Sequence, residues 1–234
     1  MSTGSIALRN ETKPDPALLH TDGSIRQVGR LEKAASQPSG NTFGTEAHTC
    51  TDRGGKHMMI KTERLLLRPF DCNDLDIVME LYCDDEIMKY MPYPVLDREG
   101  ARDLLNRFVT GWEIDPQINY EMAVILRETD ETIGRAEITR YFEEDSAMIG
   151  WVLKKSAWGK GYATEIANAL IKYCFCELQI HRAFALCHPD NTASWKVMEK
   201  CGMHREAHFI QKCKYTKADG IRWEDELVYA IING

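Results

Sequence analysis

The chain has 234 residues, which is enough for one domain with an extension. Hydrophobic residues make up 44% of it and charged residues 28%, the composition of an ordinary globular protein. The formal net charge of -7 argues against a protein that binds nucleic acid by neutralising phosphates, and it suits a cationic partner such as an amine. No stretch approaches the length of a membrane span, so no membrane partner is predicted.

The eight cysteines are interpreted as reduced thiols. The first ten residues, MSTGSIALRN, lack the apolar segment of a secretory signal, so we expect a cytoplasmic protein. Cys174 and Cys176 form a C-x-C pair, but in a helical pattern their side chains point in different directions. No second cysteine or histidine pair stands at zinc-ligand spacing, so no metal site is predicted.

The composition divides the chain at about residue 57. All five Trp and all nine Tyr follow Arg53, and the only Phe before that point is Phe43. A segment rich in Ser, Thr, Gly, Asn and Pro cannot bury enough apolar surface to offset its ordering entropy. We interpret residues 1–57 as a disordered or non-native N-terminal extension and residues 58–234 as one domain.

The domain begins with one strand and two helices. RLLLRPF predicts a strand that ends at Pro69, after which Asn73 or Asp74 would cap a first helix. Asp97 would cap a second helix. Three strands follow at residues 120–128, 132–142 and 146–155, and the turns TDET and EED between them predict an antiparallel meander.

The second half of the domain adds a helix, a strand, a short helix and two strands. The helix covers residues 163–178, and HRAFALCHP is the strand after it. NTASWKVMEKCG predicts a helix with Asn191 as cap and Gly202 as stop, and a turn at 218–220 joins the last two strands. The order predicts an α/β (α+β) domain in which helices flank a mixed, mostly antiparallel sheet.

The stretch SAWGKGYATE predicts an anion site between a strand and a helix. The first turn of a helix presents unpaired N–H groups, and glycines such as Gly159 and Gly161 let the backbone approach a ligand closely. Lys154, Lys155 and Lys160 are expected to add positive charge, so the expected guest is a phosphate or pyrophosphate. The alternative is a tight connection in which the glycines serve geometry alone.

Five segments stand in order over residues 59–231: TERLLLRPF, DDEIMKYM, IGWVLKKSAWGKGYATEIANALIKYCF, NTASWKVMEKCGM and WEDELVYAI. In these segments the chain resembles the GNAT superfamily of acetyl-CoA-dependent N-acetyltransferases, and most of all the branch that acetylates the alanine and serine ends of ribosomal proteins. The resemblance implies a GNAT-like fold, and direct attack of a primary amine on acetyl-CoA in a ternary complex, with no metal.

The resemblance also implies a cofactor site in two parts. In that family the glycine turn binds the pyrophosphate of coenzyme A through backbone N–H groups, and the preceding strand pairs with the amides of the pantetheine arm. The implied strand residues are Ile149, Trp151, Val152 and Leu153. The implied turn and helix residues are Trp158, Gly159, Lys160, Gly161, Tyr162, Ala163 and Thr164. Trp158 stands where the core pattern of the family has Gln or Arg.

The resemblance suggests an acid but no certain base. Many members use a Tyr as acid where this chain has Met198. The N-x-x-S of the ribosomal branch is present, so Ser194 is expected to protonate or hydrogen-bond the thiolate and Asn191 to orient the pantetheine arm, both also contacting the cofactor. The alternative is that both residues only cap and pack a helix start.

A glutamate that some relatives carry on the strand before the glycine turn is Met148 here, so the base is sought elsewhere. Glu137 on the middle strand is the first candidate and Glu121 the next, although each is equally compatible with a carboxylate that has no role. His188, at a strand end near Asn191, is a further titratable candidate. A plain polar residue at the end of the strand is the simpler account.

The acceptor stays open at this point. A protein or peptide N-terminus is the first expectation, and a polyamine or an aminoglycoside-like amine is the alternative. MPYPV and the loop before the second strand are expected to line the acceptor site. A non-catalytic module that binds CoA as a sensor is the rival from another class, and an interaction domain without cofactor is a third. The resemblance is compatible with a monomer or a homodimer.

Overall fold

The computed structural model describes residues 58–234, so the interpretation of residues 1–57 lies outside the described residues. Within this range an eight-stranded sheet has the strand order β1-β2-β3-β4-β5-β6-β8-β7. The strands are β1 (Ile60–Lys61), β2 (Leu65–Pro69), β3 (Asn119–Leu126), β4 (Thr132–Tyr141), β5 (Ser146–Leu153), β6 (Arg182–Cys187), β7 (His204–Lys217) and β8 (Gly220–Ile232). The helices are α1 (Leu75–Tyr82), α2 (Arg98–Thr110), α3 (Tyr162–Cys176) and α4 (Thr192–Lys200).

The predicted meander and the predicted cap of α2 are confirmed. β3, β4 and β5 pair antiparallel in sequence order. Asp97 Oδ1 accepts a hydrogen bond from the Gly100 N–H at 2.8 Å, as an N-cap should. α1 does begin after Asp74, but this side chain caps nothing and instead accepts two hydrogen bonds from Arg68 at 2.7 and 2.8 Å. The carboxylate therefore ties β2 to the start of α1.

The sheet separates two helical layers. On one face, Ala136 of β4 shares a buried cluster with Ile166 of α3. On the other face, the Arg135 guanidinium lies 4.9 Å from the ring centre of Phe108 in α2. Because side chains alternate along a strand, Glu137 faces the same layer as Arg135. One face of β4 is therefore apolar and the other carries charge beneath α1 and α2.

The central strands β5 and β6 pair in parallel and then part. Only Ser146–Met148 pair with Arg182–Phe184. Beyond these residues, Ile149–Leu153 pair with β4 alone and Ala185–Cys187 pair with β8 alone. We call the opening between the two diverging strands the gap. The facing backbone groups along the gap have no strand partner within the described part of the chain, so an extended ligand can pair with them.

Three further findings concern residues 58–234. None of the seven cysteines in this range forms a disulfide, and burial raises the pKa of the Cys174 thiol to about 12, so it stays protonated at neutral pH. No helix in the range has both the length and the apolar character needed to cross a membrane. No group of three or more His, Cys, Asp or Glu side chains there is placed to bind a metal ion.

Candidate active site

The turn between β5 and α3 leaves its backbone N–H groups free. Gly159 and Gly161 have φ of +72° and +80°, the left-handed region that favours glycine. In the described residues, no backbone N–H from 159 to 164 donates to another protein group, and no side chain caps α3. A Cβ placed on Gly159 would have no neighbour within 4 Å, so the turn is open. This geometry fits the predicted pyrophosphate, since free N–H groups and the helix dipole both attract an anion.

Two of the three lysines expected to strengthen this site are neutralised elsewhere. Lys154 is buried and its ammonium pairs with Glu131. The Lys155 ammonium lies 2.8 Å from a carboxylate oxygen of Asp84. The prediction that both lysines add charge at the turn is therefore wrong, because carboxylates from other chain segments compensate them. Lys160 is exposed and has no ion-pair partner in the described range.

The glycine turn is braced by a residue that sequence reasoning missed. Arg64 Nη1 donates to the carbonyl oxygen of Lys160 at 3.0 Å, and Arg64 Nε donates to Glu165 at 2.7 Å. The guanidinium carbon also lies 4.6 Å from the ring centre of Tyr162. The Thr62 hydroxyl donates to Glu165 at 2.6 Å and completes the contact. Arg64 therefore joins the start of β2 to both the turn and the first turn of α3.

The predicted strand residues border the gap. Trp151 stands opposite Ala136 and so faces the layer of α3, whereas Val152 stands opposite Arg135 and faces the layer of α1 and α2. Trp158 is 44% exposed, and its indole N–H donates to the Leu153 carbonyl at 2.8 Å. Trp158 thus closes the end of β5. The structure brings the strand and turn residues of the predicted cofactor site together along one path.

The helix α4 begins at the open end of the gap. Asn191 Oδ1 accepts a hydrogen bond from the Ser194 N–H at 3.2 Å, so Asn191 is the N-cap that the pattern predicted. The Ser194 hydroxyl is half-buried and makes no hydrogen bond within the described chain. Met198 is buried in the core with 1% exposure. The Ser194 hydroxyl is therefore available in the first turn of α4, near the gap.

Both candidate bases share one buried guanidinium. Arg135 donates to Glu121 through Nε at 2.7 Å and through Nη2 at 2.8 Å, and Nη2 also donates to Glu137. The side chains are 7%, 13% and 20% exposed for Arg135, Glu121 and Glu137. Burial raises the pKa of the Glu121 carboxyl, Arg135 opposes that shift, and Glu137 adds to it. We call these three residues the acidic cluster, because its two carboxylates outweigh its one cation.

Glu137 reaches over the strand that borders the gap. It stands opposite Gly150, and a Cβ added to Gly150 would lie 2.4 Å from Glu137 Oε1. The carboxylate therefore occupies space above Gly150 that any side chain there would fill. Met148 faces the same side two residues earlier, by strand alternation. Glu137 thus presents a carboxylate from the neighbouring strand on the face of the sheet that Met148 shares.

His188 is packed between aromatic rings. Its ring centre lies 5.3 Å from that of Tyr90, nearly parallel to it, and 5.9 Å from that of Tyr215. Nδ1 accepts a hydrogen bond from the Asp190 N–H at 3.1 Å, and Nε2 lies 3.7 Å from Glu224. These contacts favour the simpler account, in which His188 is a structural residue after β6.

The family described as "Acetyltransferase (GNAT) domain" matches residues 64–204. The protein named N-acetyltransferase YnaD of Bacillus subtilis (strain 168) is 40% identical over 176 residues, which cover 75% of this chain and 97% of that protein. A crystal structure of a GNAT family acetyltransferase from Bacillus anthracis is 37% identical with a TM-score of 0.65, and the match covers 75% of this chain and 99% of that one.

Two more distant structures share the fold. Spermidine N-acetyltransferase from Vibrio cholerae, solved with CoA and spermine, is 22% identical with a TM-score of 0.61 over 74% of this chain and 97% of that one. Ribosomal-protein-S5-alanine acetyltransferase from Vibrio fischeri is 19% identical with a TM-score of 0.62 over 75% and 97%. Identities this low show the fold alone and leave the class of acceptor undetermined.

The chain therefore belongs to the GNAT family of acetyltransferases. The predicted family, the predicted fold class and the predicted N-acetyltransferase activity are confirmed. Members of this family use acetyl-CoA, and a CoA complex is among the structures that share the fold.

Proposed function

We propose that this enzyme transfers the acetyl group of acetyl-CoA to the N-terminus of a protein or peptide, by direct attack in a ternary complex. The observation that carries the proposal is the acidic cluster beside the gap. The free N–H groups of the glycine turn lie farther along the chain, after the end of β5. An acceptor amine arrives as an ammonium ion, which a buried excess of negative charge attracts. The same attraction makes a polyamine the second candidate acceptor.

Different residues of the proposed cofactor site would bind different parts of acetyl-CoA. The N–H groups of residues 159–163 would bind the pyrophosphate, since they have no partner within residues 58–234. The free edge of Ile149–Leu153 would pair with the amides of the pantetheine arm. Asn191, whose Oδ1 already caps α4, would orient that arm through its amide nitrogen. The thioester supplies an activated acetyl group when bound.

The proposed reaction needs a neutral amine, a fixed geometry and a proton for the leaving sulfur. Glu137 would accept the proton of the ammonium, directly or through one water. The amine nitrogen then bonds to the carbonyl carbon while the carbon–sulfur bond breaks. The proton that this nitrogen loses as the amide forms would pass to the thiolate through the Ser194 hydroxyl, which gives up its own proton to the sulfur and takes that one in exchange. Glu121 is the alternative base, but its two hydrogen bonds with Arg135 occupy it more fully.

The experiment that tests the proposed function is mass spectrometry of acetylated products. The full chain would be incubated with acetyl-CoA and a panel of N-terminal peptides, polyamines and aminoglycosides. Acetylated peptide N-termini support the proposal, and product from polyamines alone contradicts the acceptor class. A rise in melting temperature with acetyl-CoA, but no product from any amine, would instead support a sensor that binds CoA.

We expect Glu137→Gln to lower kcat at pH 7 by about tenfold or more, because the amide cannot accept the proton of the ammonium. The residual rate should then rise with pH, since alkali deprotonates the amine without help. The pH profile of kcat with a peptide acceptor measures this. Glu128→Gln, an exposed glutamate after β3, is the matched control and should keep both rate and profile. An unchanged profile in Glu137→Gln would remove the base assignment.

We expect Arg64→Met to raise KM for acetyl-CoA about tenfold with little change in kcat, because a hydrogen bond to a charged group contributes roughly 1.5–3 kcal/mol. The turn that Arg64 braces binds the cofactor in our proposal but takes no part in bond making. Steady-state kinetics with varied acetyl-CoA separates the two constants. Arg64→Lys should recover part of the loss, and Lys61→Met, at an exposed position of β1, is the control. Equal losses in kcat and KM would contradict a positioning role.

A further inference from the structure

One segment crosses the open end of the gap. We call residues 84–93, between α1 and α2, the bridging segment. At one end Asp84 pairs with Lys155, which follows β5, at 2.8 Å. At the other end Lys217 Nζ donates to two carbonyl oxygens of the segment at 2.8 and 3.1 Å, and the Thr216 N–H donates to a third at 3.1 Å. Because these anchors lie on opposite sides of the gap, the bridging segment spans its open end.

A cavity of about 280 Å³ lies between the bridging segment, the end of β6 and the β7–β8 hairpin. Its aromatic walls are Tyr90, His188 and Tyr215, and the His188 ring contacts the rings of both tyrosines. The Tyr215 hydroxyl also donates to the Tyr90 carbonyl oxygen at 2.8 Å, which fixes the two walls. These contacts hold the aromatic side of the cavity in place.

The charges that line this cavity are mostly positive. Lys89, Lys217 and Arg222 contribute cations, against the carboxylates of Asp190 and Glu224.

Of the two carboxylates, Asp190 is exposed and has no ion-pair partner in the described range. Glu224 lies 3.7 Å from His188 Nε2. Lys89 pairs with no carboxylate in the described residues and lies over the Tyr90 ring. Arg222 pairs with Asp219 in the exposed turn, a contact that water weakens. The cavity therefore offers positive charge in a protein whose net charge is -7.

We propose that this cavity is a subsite for an anionic group of the acceptor. An acceptor with an amine at one end and a carboxylate nearby satisfies both the acidic cluster and the cavity. A polyamine, which is cationic along its length, satisfies only the first. The enzyme would thus prefer peptide N-termini with acidic side chains in the next positions. This inference rests on the proposed function and narrows it to one acceptor class.

The first arm of the test compares acceptors on the full chain. Hexapeptides that begin with Ser would carry two Asp, two Asn or two Lys residues next, beside spermidine and free serine. We expect kcat/KM for the Asp peptide to exceed that for the Lys peptide by about tenfold at low salt, because the exposed cations of the cavity attract the one peptide and repel the other. The ratio should shrink in about 0.5 M salt, which screens such charges. Free serine distinguishes an α-carboxylate from a side-chain carboxylate as the anion.

The second arm reverses the charge of the cavity. The double variant Lys89→Glu and Arg222→Glu should lower the Asp-to-Lys peptide ratio at least tenfold, and both side chains are exposed, so folding should survive. Lys214→Glu is the matched control. Lys214 lies on the same hairpin opposite Trp223, hence on the face away from Arg222, and its variant should leave the ratio unchanged.

The outcomes separate the two proposals. An unchanged ratio in the double variant, or a wild-type preference for the Lys peptide or spermidine, would overturn the anionic subsite while acetyl transfer stands. Absence of product with every acceptor would overturn the proposed function, and the subsite with it.

Discussion

We expect Arg135→Met to lower the free energy of unfolding by about 3–5 kcal/mol at pH 7.5, because it leaves two carboxylates buried without their cation. Arg135 is the one hydrogen-bond donor that Glu121 and Glu137 share in the described structure, and its side chain is only 7% exposed. Methionine fills similar volume against Phe108, so the loss reports the charge and not a cavity. Urea unfolding followed by circular dichroism measures it.

The pH dependence of this loss identifies its cause. Burial raises the pKa of Glu121 in the folded chain, so the folded state binds that proton more tightly than the unfolded state does. Removal of Arg135 raises this pKa further, because the cation that opposed the shift is gone. The deficit of Arg135→Met should therefore shrink as the pH falls toward 5. Glu121→Gln, which leaves one carboxylate per guanidinium, should change stability far less.

A matched control separates this charge effect from a general loss of arginine. Arg102 also belongs to the α1 and α2 layer, but it is exposed on α2. Arg102→Met should change the free energy of unfolding by less than about 0.5 kcal/mol, as is usual for surface substitutions. A loss for Arg135→Met as small as this, or one that does not depend on pH, would contradict the account of the acidic cluster.

We expect Ser194→Ala to lower kcat by about a hundredfold or more, since general acids contribute roughly 10²–10⁴-fold to such reactions. Removal of the hydroxyl leaves the leaving thiolate without its proposed donor. The Ser194 N–H, which Asn191 caps, is unaffected, so α4 should begin as before. KM for acetyl-CoA should change little, because the backbone of the glycine turn binds the pyrophosphate in our proposal. Rapid-quench kinetics with a peptide acceptor isolates the chemical step.

Thr192→Ala provides the comparison for Ser194. Thr192 is exposed in the same first turn of α4. Its variant therefore removes a hydroxyl with an effect on the stability of α4 similar to that of Ser194→Ala. It should keep kcat within about twofold, as expected for an exposed surface substitution. If Ser194→Ala also stayed within a few-fold of wild type, Ser194 would be a polar packing residue, and a water molecule would be the remaining source of the proton.

The local features of this protein could be predicted from the sequence. The left-handed glycines at 159 and 161, the cap of α2 by Asp97 and the cap of α4 by Asn191 depend on a few consecutive residues, so their pattern is sufficient. The antiparallel meander of β3 to β5 also follows from short turns between alternating strands. The order of motifs along the chain was enough to identify the GNAT family.

The contacts between segments that are distant in sequence were decided by the tertiary structure alone. The sequence wrongly predicted Lys154 and Lys155 as part of an anion site. Their carboxylate partners, Glu131 and Asp84, are distant in sequence, so no local pattern indicates these pairs. Arg64 reaches Lys160 across 96 positions, and no spacing rule connects them. The gap follows from the strand pairing. β5 and β6 share only three paired positions, after which β5 continues beside β4 and β6 continues beside β8. Charge compensation and strand divergence depend on contacts between segments that are distant in sequence. Local patterns depend only on residues that are close in sequence, so they cannot predict either feature.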